Sequence, residues 1–358
     1  MAKAIEKKRI RLDDGSYADA QAPVIVSASR STDIPAFYAD WFFERLRRGY
    51  SAWTNPFNGV RMYVGYEDVR FIVFWSKNPR PLLEHLDYLR QRGIGCYIQY
   101  TLNDYEAEGL ERGVRPLGER IETFRLLVER LGKGRVVWRF DPLILTDRID
   151  MQTLLRRIEH IGDALYGYTE KLVFSFADIV SYRKVKGNLE RAGIRYIDWT
   201  EEMMREFAER LASLNRKWGY ELATCGERID LSAFGIAKNH CVDDRLIVRL
   251  GYHDARLMDF LGATRHAMPQ AGMFEEFGAE ELPDGAIPLP DGTYAVIGRN
   301  NADKGQREAC GCMKSKDIGQ YNTCPHLCEY CYANASKESA VANWRRHQMN
   351  PHSDTITG

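Results

Sequence analysis

The chain has 358 residues, 44% of them hydrophobic and 11% aromatic, enough to bury the core of one large domain or two small ones. Lysine plus arginine equals aspartate plus glutamate at 50 each, a balance without the global pull toward nucleic acid that a strongly basic chain exerts. The segment after Met1 is charged rather than apolar and no later stretch reaches membrane-spanning length without charges, so a cytoplasmic location is expected. Local basic runs at Lys7-Lys8-Arg9, Arg45 to Arg48 and Arg345-Arg346 read as solvated helix faces.

Residues 7–22 alternate around Asp13-Asp14-Gly15, which predicts a hairpin at one end of the fold. The apolar run Val24 to Ala28 ends in the polar knot Ser29-Arg30-Ser31-Thr32-Asp33-Ile34-Pro35. A helix follows through Phe37, Trp41, Phe42 and Leu46, with Pro35 in its first turn and Asp33 or Thr32 as cap. This strand, polar end and helix make a βα unit. The pattern recurs in Phe71–Trp75, Cys96–Thr101, Val136–Pro142, Leu172–Asp178 and Tyr220–Glu227, with apolar helical spacing after most of them. Six such units imply a parallel (β/α) barrel of the TIM type, or a partial barrel.

In such a fold the site lies at the carboxyl ends of the strands. Arg30, Asp33, Lys77, Asn78, Gln99, Thr101, Arg139, Asp141, Ser175, Asp178, Thr224 and Glu227 fall there, although strand ends need polar turn residues in any case. Arg139 and Asp141, two apart on an otherwise apolar strand, share a face, and a charged pair facing the interior needs a partner or a ligand. Residues 282–300 carry Pro-Asp-Gly twice and read as an irregular hairpin without chemistry of its own.

Eight cysteines, five of them between Cys310 and Cys331, suit metal ligation in a reducing compartment better than a disulfide framework. Cys324, Cys328 and Cys331 form a compact set of soft ligands at Cys-x3-Cys-x2-Cys spacing, which fits an iron–sulfur cluster better than a hard cation. Three ligands leave one iron of a four-iron cluster open for chemistry. A structural zinc site would want a fourth ligand, and His326, inside the loop, is poorly set to supply it. The remaining cysteines apart from Cys96, which reads as core, are Cys225, Cys241, Cys310 and Cys312. They could complete a second [4Fe–4S] cluster or a zinc site, or Cys225 and Cys241 could be buried as small apolar residues.

The cysteine spacing, with Tyr330 just before the third thiol, resembles the cluster loop of the radical S-adenosylmethionine (SAM) enzymes. That resemblance implies a [4Fe–4S] cluster on Cys324, Cys328 and Cys331, SAM chelated at the open iron, and reductive cleavage of a sulfonium carbon–sulfur bond. In those enzymes the cysteine loop follows the first barrel strand, whereas here it follows residue 320. A circular permutation accounts for the difference if the helix through Ala335, Ala340, Ala342 and Trp344 serves as the first barrel helix and Val24 to Ala28 as the second strand. The Ser29 to Asp33 knot then occupies the place of the usual SAM amino-group contact. The usual Gly-Gly-Glu signature is absent, so Arg30, Asp33 and Tyr330 are positional candidates for SAM binding, and Arg139, Asp141 and Lys77 for orienting substrate.

The whole chain resembles a bacterial and archaeal family known as domain of unknown function 1848. The likeness rests on Ser27 to Pro35, Phe74-Trp75-Ser76-Lys77-Asn78-Pro79, Trp138 to Pro142, Thr224-Cys225-Gly226-Glu227 and Asp317 to Asn334. That family supplies no reaction. The expected organisation is a barrel domain with its hairpin over residues 1–300 and a cysteine-rich cluster segment with a closing helix over 301–358, packed on the same barrel. The expected function is radical SAM chemistry on a small molecule or peptide, with flavodoxin or ferredoxin as reductant and no membrane partner. Alternatives are a DNA-directed repair enzyme similar to spore photoproduct lyase, which the charge balance disfavours, and a non-catalytic binding barrel stabilised by metal.

Overall fold

The computed structural model describes residues 5–55, 58–268, 282–307 and 309–358. Eight strands form the main sheet: β1 (Ile25–Ala28), β2 (Phe71–Ser76), β3 (Gly95–Thr101), β4 (Val136–Leu143), β5 (Lys171–Phe176), β6 (Glu221–Thr224), β7 (Ile236–Lys238) and β8 (Lys316–Asp317). Their order is β7-β6-β5-β4-β3-β2-β1-β8. Every neighbouring pair is parallel. The chain therefore lays down seven strands in succession, then returns to place the eighth on the free side of β1, with Lys316 opposite Val26 and Asp317 opposite Ser27. Among the described residues β7 and β8 do not pair, so the sheet is open and compatible with a partial barrel.

Six of these strands are those expected from apolar runs. The other two are only three and two residues long, too short for periodicity to mark them. Alternation along the strands divides the core in two. Val26, Ala28, Ile72, Phe74, Ile98, Trp138, Phe140 and Phe174 pack on one face. Ile25, Phe71, Val73 and Tyr97 face the other way, into a second cluster with Val242, Ile247, Leu257 and Ile287. The first face is covered by α1 (Ala39–Arg48), α2 (Leu117–Leu131), α3 (Met151–Leu165) and α4 (Glu201–Asn215), which bury Trp41 and Phe42, Phe124 and Leu127, Leu154 and Ile158, and Phe207 and Leu211. The second holds α5 (Asp244–Gly251), with the hairpin of Ile287–Pro288 and Tyr294–Ile297 beside it.

Asp33 caps the short helix Ile34–Phe37 by accepting from the Ala36 amide, with Pro35 in the first turn. The helical pattern expected through Leu46 is interrupted at Tyr38 and resumes as α1. The opening hairpin, Glu6–Arg11 with Tyr17–Ala22, extends into a four-stranded sheet with Tyr50–Thr54 and Arg61–Gly65. It leads into the amino end of β1 across Pro23 and Val24, on the opposite side of the sheet from the strand ends that carry the cysteines. The last helix, α6 (Lys337–Met349), is capped by Ser336. Its Trp344 meets Phe37 and Tyr38 edge-on at 5.6 and 5.2 Å. No helix among the described residues is long and apolar enough to cross a membrane.

Lys316 on β8 is 8% exposed, and its Nζ lies 3.9 Å from the centre of the Trp53 ring. Burial depresses its pKa from an ordinary 10.5 to about 8, against a smaller upward pull from Asp317. Between those pH values the unfolded chain binds more protons at this site than the folded one, so stability rises with pH, at about 1.4 kcal/mol per pH unit. Below about pH 8 both states are protonated and the cost is constant. Lys316→Met should therefore raise the melting temperature at pH 7 and flatten the gain that the wild type shows between pH 8 and 10.5; unchanged melting curves across that range would refute the buried placement.

Candidate metal centre

The loop that carries Cys324, Cys328 and Cys331, a claw of three thiols, leaves β8 under tight backbone control. The Asp317 carboxylate accepts from Gly319 N at 2.9 Å and from Arg30 N at 2.8 Å, tying the end of β8 to the end of β1. Gly319 has no alternative, because a Cβ there would lie 1.7 Å from Ser29 Oγ. The loop then turns through Asn322 and Leu327, both in the left-handed region at φ 61° and 55°. Its carbonyls are held from outside: Tyr38 Oη donates to Thr323 O at 2.5 Å, Asn334 Nδ2 to Cys324 O at 2.9 Å and Gly113 N to His326 O at 2.9 Å. Cys328 is buried, while Cys324 and Cys331 are half-buried.

His326 is not a ligand candidate, as its position in the loop led one to expect. Its Nε2 lies 2.7 Å from Asp33 Oδ2 and its Nδ1 3.1 Å from Gly113 O, so both ring nitrogens are engaged. Asp33 is likewise fully used, since it also accepts from Ala36 N at 3.0 Å and Lys77 N at 2.7 Å. The carboxylate thus locks the claw onto the ends of β1 and β2.

Beneath the claw lies a buried charged network. Lys77 Nζ donates to Glu111 Oε1 at 2.7 Å and to Tyr330 Oη at 2.8 Å. Tyr330 Oη also donates to Glu111, and Asn103 Nδ2 reaches the Glu111 carboxylate at 3.2 Å. Burial works to raise the Glu111 pKa, but Lys77 and then Arg120 outweigh it and hold the carboxyl down at about 2. The Tyr330 hydroxyl is thus occupied within the protein. Burial also raises the thiols of Cys324 and Cys328; Lys77 opposes it at Cys328, where Glu111, Cys331 and Cys324 add to the rise.

Three soft thiols are a donor set for an iron–sulfur cluster, and polar atoms beside the loop are left for a bound group to satisfy. Buried Thr32 Oγ1, Asn334 Oδ1, Glu111 Oε2 and one terminal nitrogen of Arg30 have no hydrogen-bond partner. Each belongs to a residue beside the loop: Asn334 and Glu111 bond to it directly, Arg30 O accepts from Tyr332 Oη at 2.7 Å, and Thr32 adjoins Asp33. Buried polar atoms are seldom left unmatched unless something else satisfies them.

Arg139 and Asp141 do face the interior together and are ion-paired. Arg139 is more deeply committed than its position suggests, because it also donates to Gln99 Oε1 at 3.0 Å and to Cys241 Sγ at 3.1 Å. Asp141 also accepts from Ser175 Oγ, and its side chain is 22% exposed against 4% for Arg139. Burial pushes the nearby Glu227 carboxyl up to about 7, despite a bond from Phe176 N at 2.9 Å. Arg30 lies over Trp75 with its guanidinium 5.4 Å from the ring centre.

The four cysteines outside the claw and the core also converge. Cys225 Sγ and Cys241 Sγ are 3.2 Å apart, and Cys241 N donates to Cys312 Sγ at 3.2 Å, with Cys310 two residues before Cys312. Cys96 is buried in the core, as expected. Glu111, Arg120 and Arg307 were beyond sequence reasoning. Glu111 sits in the long connection between β3 and α2, Arg120 faces inward from the first turn of α2, and Arg307 lies in an irregular segment, so none stands at a strand end.

A family model described as a domain of unknown function, DUF1848, matches residues 25–333. The chain belongs to the DUF1848 family. The matched span opens at the first residue of β1 and closes just beyond Cys331, so it takes in the whole parallel sheet and both cysteine groups. No curated protein matches the chain. Among solved structures, a putative alpha-L-fucosidase from Bacteroides thetaiotaomicron VPI-5482 aligns at 11% identity and a TM-score of 0.23, covering 54% of this chain and 82% of that one. A TM-score that low carries no inference about fold or activity.

In this DUF1848 chain the Lys77–Glu111 pair has side chains only 17% and 2% exposed. Removing one partner leaves the other charge buried and uncompensated, which costs about 3–5 kcal/mol. Glu111→Gln should lose that amount in urea unfolding, and the double variant Lys77→Met/Glu111→Leu should recover part of it. A single variant as stable as wild type would mean the network is not closed as described.

Proposed function

We propose that this DUF1848 protein is a radical SAM enzyme acting on a small molecule or peptide, with Cys324, Cys328 and Cys331 as the ligands of a [4Fe–4S] cluster. One observation carries the reading: the Cys-x3-Cys-x2-Cys loop leaves the carboxyl end of β8, a strand paired in parallel beside β1, at the face where neighbouring strands end in polar side chains. That is the position a first barrel loop would hold in a permuted (β/α) barrel. When bound, such a cluster supplies an electron to a sulfonium carbon–sulfur bond and an open iron for the amino and carboxylate groups of SAM.

The protein's own residues do the positioning. Asp33, through His326 and the Lys77 amide, fixes the claw against β1 and β2. Lys77, Glu111 and Asn103 hold Tyr330, so the residue before the third thiol cannot swing. The Arg30 guanidinium, with a buried nitrogen unmatched, and Thr32 Oγ1 are the groups of the Ser29 to Asp33 knot still open to a polar ligand such as an amino-acid carboxylate. Arg139 orients Asp141, and the more exposed carboxylate is the group that an entering substrate meets. Tyr332, 48% exposed and bonded to Arg30 O, sits at the rim beside Cys331 and limits water there. Flavodoxin or ferredoxin would serve as reductant.

The test is anaerobic reconstitution with iron and sulfide, reduction with dithionite, and addition of SAM. The expected products are 5′-deoxyadenosine or 5′-methylthioadenosine, with cleavage abolished by Cys328→Ala. A fully loaded protein that leaves SAM intact, or one whose cleavage survives Cys328→Ala, would refute the assignment.

A further inference from the structure

Cys225 ends β6, Cys241 lies three residues beyond β7, and Cys310 and Cys312 lie on the return to β8. These segments are distant in sequence, and they meet at one place: the seam where the two unpaired edges of the sheet face each other. Backbone bonds hold the approach, with Cys225 N donating to Phe174 O at 2.8 Å and Met313 N to Val242 O at 2.9 Å. Gly311 lets the His240 ring pack against the turn between the last two thiols, since a Cβ there would lie 2.2 Å from His240 Nε2.

Hydrogen-bond donors, one of them a buried guanidinium, converge on these sulfurs. Arg139, 3% exposed, donates to Cys241 Sγ. The Arg30 guanidinium lies in the field of Cys312, Cys241 and Cys310, and that of Arg307 in the field of Cys225 and Cys310. Arg139 is thus the guanidinium in direct contact with a sulfur, and Arg30 and Arg307 add positive field around the group. Asn239 Nδ2 donates to Cys241 Sγ at 3.3 Å, and Val242 N joins Cys241 N on Cys312 Sγ at 3.5 Å. Such N–H donors orient and tune thiolate ligands of a metal. Arg139 is the one of the three that is buried, and a buried cation needs compensating negative charge. Four thiolates around zinc(II) or a [4Fe–4S]2+ core supply a net charge of about −2.

We propose that Cys225, Cys241, Cys310 and Cys312 are the ligands of a second metal centre, fully ligated by thiolates and separate from the claw, which staples the open seam between β7 and β8. Arg30, Arg139 and Arg307 are its charge partners. Both an iron–sulfur cluster and a zinc ion share this four-thiolate chemistry. The proposal stands whether or not the claw cleaves SAM.

The experiment removes the claw and asks what metal remains. The full-length Cys324→Ala/Cys328→Ala/Cys331→Ala variant, purified anaerobically, is incubated with iron plus sulfide or with zinc, desalted, and assayed for metal and acid-labile sulfide. Retention of about four iron and four sulfide identifies a cluster, and about one zinc without sulfide identifies a single ion. Either supports the proposal if adding Cys225→Ser and Cys312→Ser abolishes it while circular dichroism stays native. A folded claw-free variant that retains neither metal overturns it, as does retention that survives those serines. If the claw-free variant does not fold, Cys225→Ser and Cys312→Ser in the wild-type chain should each lower the load by one centre; a full load in both overturns the assignment.

Discussion

The pairing of β8 with β1 is the constraint on which the rest of the site depends. It is a short pairing, Lys316 and Asp317 against Val26 and Ser27, and so few ladder bonds cannot fix a register alone. Side chains complete it. Asp317 bridges the Arg30 and Gly319 amides, Ser315 Oγ and Ser27 Oγ are 2.7 Å apart, and Trp53 Nε1 donates to Gly319 O at 2.7 Å. Apart from the local bond to the Gly319 amide, these contacts join residues far apart in sequence, so the last stretch of chain is tied to the start of the fold. The claw loop consequently starts level with the Ser29 to Asp33 knot rather than trailing from a free end.

The polarity of the strand ends is mostly internal. Lys77 is matched by Glu111, Arg139 by Asp141, and Asp33 by two amides and His326. Buried ion pairs contribute little net stability against well-packed apolar residues, so their value here is in fixing geometry around the loop and the strand ends. What stays unmatched is then informative. Thr32 Oγ1, a nitrogen of Arg30 and Asn334 Oδ1 are the atoms beside the loop with capacity left for a ligand, whereas Glu111 Oε2 lies 4.0 Å from Arg120; these atoms are fewer than the polar residues that sequence places at the strand ends.

Six strands, the hairpin, the Asp33 cap and the inward-facing Arg139–Asp141 pair were legible because each leaves a local mark: an apolar run, an Asp-Gly turn, a Pro in a first turn, or a charge on an apolar strand. β7 and β8 were not legible, since a strand of two or three residues is defined by its neighbours and not by its own pattern. The three claw cysteines could be read from spacing alone. The meeting of Cys225 with Cys241, Cys310 and Cys312 could only be raised as a count of four thiols, because the segments that bring them together are set by the order of the sheet. Arg139 shows the same limit: its pairing with Asp141 follows from the strand period, whereas its bond to Cys241 depends on a loop about a hundred residues away.

The open seam connects these features. A parallel sheet that stops short of closing leaves two edges, and exposed edges are normally covered or blunted. Here the chain after β7 and the chain before β8 turn toward each other, joined at Val242 and Met313, and both carry cysteines. Arg30 leaves the end of β1 beside the claw, where its carbonyl accepts from Tyr332, and its guanidinium adds positive field toward the seam thiols. The return of the chain to β1 thereby brings the claw and the seam cysteines onto the same carboxyl-end side of the sheet.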